Sequence, residues 1–188
     1  GTCITAGPPY NTEFRYQQHQ ATLKAAEKVN EADAEFGKLF GRSYGGMVEA
    51  YRCDDAEAIL ITLGSVAGTT RCVVDALREQ GKKVGLLKIR CMRPFPSKEV
   101  TEIVKNAKFV GVLEKDISFG FEGVVYTDVC SALKSAAVDF PAANYVGGLG
   151  GRSISKADIE GIYTELLNGS AKVGEANFVN LRRDICGA

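Results

Sequence analysis

Apolar runs alternate with helical patterns along most of this chain, and this alternation constrains the fold more than any other feature. Runs suited to buried strands lie at Ala58–Leu63, Val84–Ile89, Phe109–Leu113 and Asn144–Val146. A segment with helical periodicity follows each of them. Because such alternation is typical of βαβ units, we predict an α/β fold with helices on both faces of the sheet, a three-layer α/β/α sandwich.

A long helix is predicted ahead of this unit, from about Thr12 to Phe40, after a loop that ends near Tyr10. Its apolar residues recur at steps of three, four or seven and form one stripe: Phe14, Ala21, Ala25, Val29, Ala32, Phe36 and Leu39. A helix of this length extends roughly 40 Å, which is further than a small domain needs. We expect it to contact another domain or subunit through Phe14 and Phe36.

These patterns divide the chain into an N-terminal extension with the long helix (residues 1–45), an α/β domain (residues 46–169) and a C-terminal tail (residues 170–188). Met47–Tyr51 is a short possible strand at the start of the domain. Ser155-Lys-Ala-Asp158 has the spacing of a capping box before the last predicted helix. The tail shows little periodicity, so we interpret it as irregular.

Charge and hydropathy exclude several classes of protein. The chain has 188 residues with 23 basic and 23 acidic side chains, a formal net charge of zero. A dedicated nucleic-acid surface normally needs a basic excess, so we expect no nucleic-acid partner. No apolar run approaches the roughly 18 residues of a membrane span. No pattern typical of a secretion signal is present, so a cytoplasmic location is expected.

The six cysteines are widely spaced, at Cys3, Cys53, Cys72, Cys91, Cys130 and Cys186. Iron–sulfur clusters and structural zinc sites usually need short paired spacings such as C-x-x-C. We therefore expect no cluster and no metal site. None of the motifs predicts a catalytic residue.

Two glycine-rich segments follow predicted strands. Gly64-Ser-Val-Ala-Gly68 opens a helix, where α/β folds bind phosphates, but it matches neither a dinucleotide-binding fingerprint nor a P-loop. It is not a nucleophile elbow either. The second segment, Gly147–Gly151, precedes Arg152. We interpret it as a turn that lets the backbone approach a neighbouring subunit, with Arg152 as the polar contact.

Several short strings resemble one family across nearly the whole chain. They are Glu13–Gln18, Phe40–Gly45, Leu63–Thr69, Val84–Arg90, Arg93–Pro96, Ile117–Gly120 and Gly147–Arg152. In order and spacing they resemble the alpha subunits of 2-oxoacid:ferredoxin oxidoreductases, with pyruvate as the first choice of substrate. The part from about Gly46 to Leu167 is similar to the C-terminal domain of transketolases and 2-oxoacid dehydrogenases.

The resemblance implies a C-terminal structural and interface domain of an enzyme that oxidatively decarboxylates a 2-oxoacid to an acyl-CoA and reduces ferredoxin. The parent enzyme would use thiamine diphosphate, Mg²⁺, iron–sulfur clusters and coenzyme A, none of them bound by this chain alone. The implied partners are beta-, gamma- and delta-type subunits, an N-terminal alpha domain and, through the complete enzyme, ferredoxin. This chain has no counterpart of that alpha domain, so we expect it to be inactive alone.

Similarity to the transketolase C-terminal domain also implies a five-stranded mixed sheet in the order 1-3-2-4-5, with Met47–Tyr51 as an antiparallel first strand. In this order the chain leaves strand 2 in opposite directions, toward strand 3 on one side and strand 4 on the other. Ligand crevices lie at such a reversal, outside the carboxyl ends of the strands.

The predicted crevice lies between Gly64-Ser65, at the end of strand 2, and Glu114, at the end of strand 4. Gly68 and Thr69 would direct helix amides into it, and Arg93 would lie on the neighbouring loop. Amides and an arginine suit an anion. Two alternatives remain open: a partner subunit fills the crevice, or Arg93 and Glu114 form an ion pair beside a tight turn.

Other functions are also compatible with the sequence. They are a small-molecule or anion-binding module, an independent flavodoxin-like reductase, and the C-terminal domain of a related thiamine-dependent 2-oxoacid dehydrogenase. Flavin absorbance of the purified chain would favour the reductase. A colourless chain with a large exposed apolar patch would favour the interface domain.

Overall fold

The computed structural model describes residues 7–138 and 141–187. The strands are β1 (Val48–Tyr51), β2 (Ala58–Leu63), β3 (Val84–Ile89), β4 (Phe109–Glu114), β5 (Ala142–Val146) and β6 (Ala176–Phe178). The helices are α1 (Pro8–Phe40), α2 (Val66–Glu79), α3 (Ser97–Val104), α4 (Val124–Ser135), α5 (Lys156–Asn168) and α6 (Arg183–Cys186). Within these ranges, no helix is both long and apolar enough to cross a membrane.

All the strands belong to one mixed sheet in the order β1-β3-β2-β4-β5-β6. Strand β1 runs antiparallel to β3, whereas the other neighbouring pairs are parallel. The predicted order of the first five strands and the antiparallel first strand are confirmed. Continuous apolar runs predicted the inner strands correctly because parallel strands that are covered on both faces have no polar side.

The sheet has a sixth strand beyond the five predicted, and it lies in the segment interpreted as irregular. Strand β6 pairs in parallel with β5, with Asn144 opposite Ala176. The Asn177 side-chain amide donates to the main-chain oxygens of Asn144 and Lys172, at 2.9 Å each. The prediction of an irregular tail is therefore wrong, because main-chain pairing and one amide define a strand of three residues too short to show periodicity.

Two apolar layers hold the helices against the sheet. On one face, α3 and α4 contribute buried side chains such as Val100 and Val129. On the other face, α2 and α5 contribute Val74, Ile159 and Leu166. The predicted three-layer sandwich is confirmed, and each layer excludes water from one side of the central strands.

Helix α1 begins at Pro8, so the predicted loop over residues 8–10 is wrong. A proline is well tolerated in the first turn of a helix because the N–H that it lacks would have no intrahelical partner there. None of the 33 residues of α1 is buried. Only its second half approaches the domain, where Ala26 and Val29 pack partly against the layer under α3 and α4.

One carboxylate anchors the second half of α1. Asp33 accepts hydrogen bonds from the Ser43 hydroxyl (2.5 Å) and from the N–H groups of Tyr44 (2.9 Å) and Gly45 (3.2 Å). Arg90 lies 3.4 Å from the same carboxylate. The Ser43 hydroxyl, followed by the Tyr44 N–H, lowers the pKa of Asp33 because both stabilise its charged form.

Candidate functional site

A cavity of about 390 Å³ opens where the carboxyl ends of β2 and β4 meet. Strand β2 lies between β3 and β4 in the sheet, so the chain reverses direction at this point, as expected for a ligand crevice. The cavity walls are mostly apolar, with Leu63, Val66, Leu113, Val125 and Ile154, and the polar lining is Gly64, Ser65, Glu114, Lys115 and Asp116.

Glu114 is the charged group closest to the core of this crevice, with only 2% of its surface exposed. Its carboxylate accepts hydrogen bonds from the N–H groups of Val125 (2.8 Å) and Tyr126 (3.1 Å), in the first turn of α4, and from the Asn144 amide (3.0 Å). Burial raises the pKa of Glu114, and these three donors oppose that effect. Through these hydrogen bonds, the Glu114 carboxylate links the end of β4 to the first turn of α4.

The glycine before α4 leaves room for this carboxylate, which any side chain at that position would displace. A Cβ atom at Gly123 would lie 1.9 Å from a carboxylate oxygen of Glu114. The Gly123 N–H donates to the side-chain oxygen of Asn144 at 3.0 Å, and Asn144 in turn donates to Glu114. Glu114, Asn144 and the main chain of residues 123–126 thus form one hydrogen-bonded network, which we call the carboxylate network.

The structure brings three of the predicted crevice residues together: Gly64, Ser65 and Glu114. Gly68 and Thr69 do not line the cavity. The Gly68 N–H donates to the Ser65 main-chain oxygen at 3.1 Å, so this amide is not available to an anion in the crevice. The first turn of α2 satisfies its own amide here, which the sequence pattern alone does not reveal.

Arg93 also lies outside the cavity, and the predicted alternative of an Arg93–Glu114 ion pair is wrong. Its guanidinium donates to both carboxylate oxygens of Asp128, at 2.7 and 3.3 Å. Asp128 belongs to α4 and lies two residues after Tyr126, the second of the residues that contact Glu114. Because Asp128 is nearer, Arg93 has a carboxylate partner without reaching the crevice, and an anion site built on Arg93 is not supported by this geometry.

Sequence reasoning missed several residues of the crevice. Lys115 and Asp116 directly follow Glu114, so their position at a strand end could have identified them. Val125 and Ile154 come from α4 and the loop before α5, and Asn144, which donates to Glu114 but does not line the cavity, comes from β5. Only the folded chain brings these three together, so no local signal predicts them.

The glycine turn after β5 lies next to the crevice. Gly148 has a positive φ of 76°, and a Cβ atom there would lie 2.9 Å from Cε of Lys115. A short 3₁₀ turn follows at Leu149–Gly151. Arg152 donates from Nη1 to the main-chain oxygen of Asn180 at 2.7 Å. The turn and Arg152 therefore connect the crevice with the segment after β6.

The two helix residues predicted as contacts have different surroundings. Phe14 exposes 48% of its surface. The Phe36 ring lies 4.5 Å from the ring of Phe40 and 5.8 Å from that of Tyr44, and Arg42 lies 5.5 Å from the Phe36 centroid. Phe36 thus packs within its own chain, whereas Phe14 is open to a partner.

No group of three His, Cys, Asp or Glu side chains that could hold a metal ion occurs in residues 7–138 and 141–187. The five cysteines in those ranges are free thiols, and Cys3 lies outside them. Burial raises the pKa of the Cys53 thiol to about 11, which suppresses the reactive thiolate.

Comparison with known proteins identifies the family. The profile for the pyruvate:ferredoxin oxidoreductase core domain II matches residues 56–159, which is more than half of the chain. The chain belongs to this family. The resemblance expected from the short strings is therefore confirmed, and the match covers the sheet from β2 to the start of α5 together with the crevice.

Relatives of this chain are subunits of 2-oxoacid oxidoreductases. Pyruvate synthase subunit PorA of Methanothermobacter thermautotrophicus is 45% identical over 155 residues, which cover 82% of this chain and 39% of that protein. PorA of Thermotoga maritima is 38% identical over 183 residues, covering 95% and 46%. Ketoisovalerate oxidoreductase subunit VorA of Pyrococcus abyssi is 38% identical over 161 residues, covering 86% and 41%. The chain spans less than half the length of these relatives.

A solved structure has the same fold. It is a 2-oxoglutarate:ferredoxin oxidoreductase from Magnetococcus marinus with 2-oxoglutarate, coenzyme A and succinyl-CoA bound. The match has a TM-score of 0.52 and 18% identity, and it covers 66% of this chain and 20% of that chain. At this low identity the match supports the fold, and the ligands belong to that protein.

Proposed function

We propose that this chain is the C-terminal part of an alpha-type subunit of a cytoplasmic pyruvate:ferredoxin oxidoreductase, which converts pyruvate to an acyl-CoA and reduces ferredoxin. The observation that carries the proposal is the family match over residues 56–159. The 45% identity to a pyruvate synthase subunit favours pyruvate among the 2-oxoacids. A ketoisovalerate oxidoreductase subunit at 38% identity makes 2-oxoisovalerate the second candidate.

Within that enzyme the chain would act as a structural and interface domain and supply no catalytic residue. The exposed first half of α1 supports this role, because Tyr10 and Tyr16 expose 65% and 64% of their surface and Phe14 lies between them. Arg152, beside the glycine turn, is a second proposed contact. The proposed partners are an N-terminal alpha domain and beta-, gamma- and delta-type subunits.

The crevice is proposed to receive part of a partner subunit rather than a free anion. Its walls are mostly apolar, and the charged group in its depth is the Glu114 carboxylate, which would repel a phosphate or carboxylate ligand. Arg93 is paired with Asp128 outside it. An apolar side chain of a partner would fit these walls, with polar atoms meeting Lys115 or Asp116 at the rim.

The cofactors of the parent enzyme are assigned to other parts of it. Thiamine diphosphate would supply the decarboxylation chemistry and iron–sulfur clusters the electron transfer, with Mg²⁺ and coenzyme A also required. The crevice does not fit a diphosphate, because the N–H groups of Val125 and Tyr126 already donate to the buried Glu114 carboxylate and Lys115 is the one cationic residue among the described residues of the lining. That this chain binds none of these cofactors remains a prediction.

Steady-state kinetics on the complete oxidoreductase test the proposal. The enzyme that contains this chain is assayed with pyruvate, 2-oxoisovalerate and 2-oxoglutarate, with coenzyme A and ferredoxin present. We expect kcat/KM for pyruvate to exceed the others by about tenfold or more, since added methylene or carboxylate groups change the fit of a substrate pocket. The isolated chain is expected to give no ferredoxin reduction. A higher kcat/KM for 2-oxoisovalerate would reassign the substrate.

A further inference from the structure

Strand β6 forms an open edge of the sheet. It is the last strand in the order and pairs with β5 alone. The Val179 N–H donates to the Val146 main-chain oxygen at 2.8 Å. Because alternate residues of a parallel strand direct their main-chain groups to the same neighbour, Ala176 and Phe178 direct theirs away from β5. An edge of this kind can accept a further strand.

An apolar groove of about 260 Å³ lies beside this edge. Phe178, Leu149 and Leu181 line it, with 44%, 42% and 38% of their surfaces exposed, and the main chain of Gly147 and Gly148 forms part of its wall. Three large apolar side chains that stay half exposed around one groove indicate a surface that a further apolar group would complete.

The groove also carries an uncompensated positive charge. Arg152 lines it and donates from Nη1 to the Asn180 main-chain oxygen. Nearby charges are paired among themselves, Lys172 with Glu175 at 2.9 Å and Arg182 with Asp184 at 3.1 Å. Among the described residues, no acidic side chain forms a salt bridge with Arg152. A carboxylate from another molecule would therefore be attracted to this position.

We propose that the β6 edge binds an extended segment of a partner subunit that adds a strand beside β6. The segment would pair with the outward main-chain groups of Ala176 and Phe178, place an apolar side chain in the groove and direct a carboxylate to Arg152. A second copy of this chain fits less well, because the acidic residues that flank this edge, Glu175 and Asp184, are already paired with Lys172 and Arg182. The inference rests on the proposed function, since it assigns one contact of the interface domain.

Hydrogen exchange on the reconstituted enzyme tests the pairing. The alpha-type subunit that contains this chain is measured alone and after assembly with its beta-type subunit. We expect the amides of Ala176 and Phe178 to exchange at least about tenfold more slowly after assembly, because a new strand would accept their hydrogen bonds. The amide of Val179, which already bonds to β5, is the internal reference and should change little.

Two substitutions test the side-chain contacts. Phe178→Glu and Arg152→Glu should each raise the dissociation constant for the beta-type subunit by about tenfold or more, the effect of losing a central interface contact. Val173→Glu is the matched control, because Val173 is an exposed apolar residue of the same segment that does not line the groove. Thermal unfolding identifies any variant that fails to fold, including any effect of losing the Arg152 bond to the Asn180 main-chain oxygen.

Four outcomes would overturn the inference. Assembly without slower exchange at Ala176 and Phe178 would refute it and leave the proposed function intact. So would normal affinity of both glutamate variants. Concentration-dependent protection of the same amides in the free subunit would assign the edge to a second copy. If the subunit does not assemble with its beta-type partner at all, the proposed function fails and the inference falls with it.

Discussion

The sheet and the long helix before it differ in how far their side chains are buried. Strand β2 buries five of its six residues, from Ala58 to Thr62, whereas none of the 33 residues of α1 is buried. The sheet is covered by helices of its own chain on both faces, but α1 touches the domain only through its second half. The difference indicates that the sheet supplies the stability of this chain, and we propose that the first half of α1 supplies contacts to other parts of the enzyme.

If the sheet and its covering helices supply the stability, breaking the carboxylate network should destabilise the chain more than any substitution on the exposed helix α1. Glu114→Ala would leave the N–H groups of Val125 and Tyr126 and the Asn144 amide without their acceptor. We expect the free energy of unfolding to fall by about 3 kcal/mol, since each buried donor left unpaired costs about 1–3 kcal/mol. Chemical denaturation measures this change.

Asp116→Ala is the matched control for that experiment, because Asp116 is an exposed carboxylate two residues away on the same crevice. Its replacement should change the free energy of unfolding by no more than about 0.5 kcal/mol. Equal effects of the two substitutions would mean that the network does not stabilise the domain, and the contrast between sheet and helix would lose its main support.

On the helix side, Phe14→Ser should act on assembly and not on stability. Phe14 exposes 48% of its surface and packs against neither apolar layer of the domain, so we expect the free energy of unfolding to change by no more than about 0.5 kcal/mol. The dissociation constant between the Phe14→Ser subunit and the rest of the enzyme should rise by about tenfold, as expected for the loss of one buried aromatic contact. Analytical ultracentrifugation measures association, and His19→Ser on the same half of the helix is the control.

Phe36→Ser should behave differently from Phe14→Ser, although the sequence grouped the two residues. The Phe36 ring packs on Phe40 and Tyr44 of its own chain. We expect its loss to destabilise the end of α1 by about 1 kcal/mol, within the range for aromatic pairs. Faster proteolysis between α1 and β1 would report this. If both variants changed stability and association equally, the two halves of α1 would not differ in their role.

Arg93→Ala should have a smaller effect, because its pair with Asp128 is more than half exposed on the arginine side. Exposed ion pairs contribute about 1 kcal/mol or less, so folding and assembly should be retained. Since Arg93 lies outside the crevice, turnover and coenzyme A affinity of the complete enzyme should not change. If both residues serve only to form this ion pair, Asp128→Ala should change stability and turnover by the same amount as Arg93→Ala. A selective loss of coenzyme A affinity in Arg93→Ala would restore the anion site.

The smallest expected effect is a weakening of the contact between α1 and the domain at acidic pH. The pKa of Asp33 is below its ordinary value of 3.8 in the folded chain. The stabilisation from its ionised form is therefore present above that ordinary value, and it is lost as the pH falls through the lowered pKa. Between pH 5 and pH 3, amide exchange at residues 26–36, corrected for its intrinsic pH dependence, should rise slightly. Asp33→Asn should remove this pH dependence.

The sequence predicted those parts of the molecule that local periodicity defines. The capping box is one example: Ser155 accepts from the Asp158 N–H, and Asp158 accepts from the Ser155 N–H, as the spacing predicted. The side chains of Ile159, Ile162 and Leu166 are buried at helical spacing after it. Repeating apolar residues identify such elements because each one needs only its own short segment.

Contacts between distant segments could not be predicted in this way. Asp128, the partner of Arg93, is 35 residues away in the sequence, and the choice between Asp128 and Glu114 depends on how α4 lies on the sheet. Strand β6 exists because it pairs with β5, and Asn144 joins the carboxylate network from β5. Of the predicted crevice residues, those that the structure brings together, Gly64-Ser65 and Glu114, lie at strand ends, where topology alone fixes their position.

Side-chain footprinting with hydroxyl radicals tests the central claim most directly, because it reports the exposure of individual aromatic rings. The alpha-type subunit is labelled alone and in the complete oxidoreductase, and the modification rates of Tyr10, Phe14 and Tyr16 are compared with that of Tyr145, which is buried in the sheet of the chain itself. The account predicts that assembly strongly reduces labelling of one or more of the three helix residues and leaves Tyr145 unchanged. Equal labelling of all three in both states would show that the helix is a solvated surface element, and would contradict its assignment as an interface.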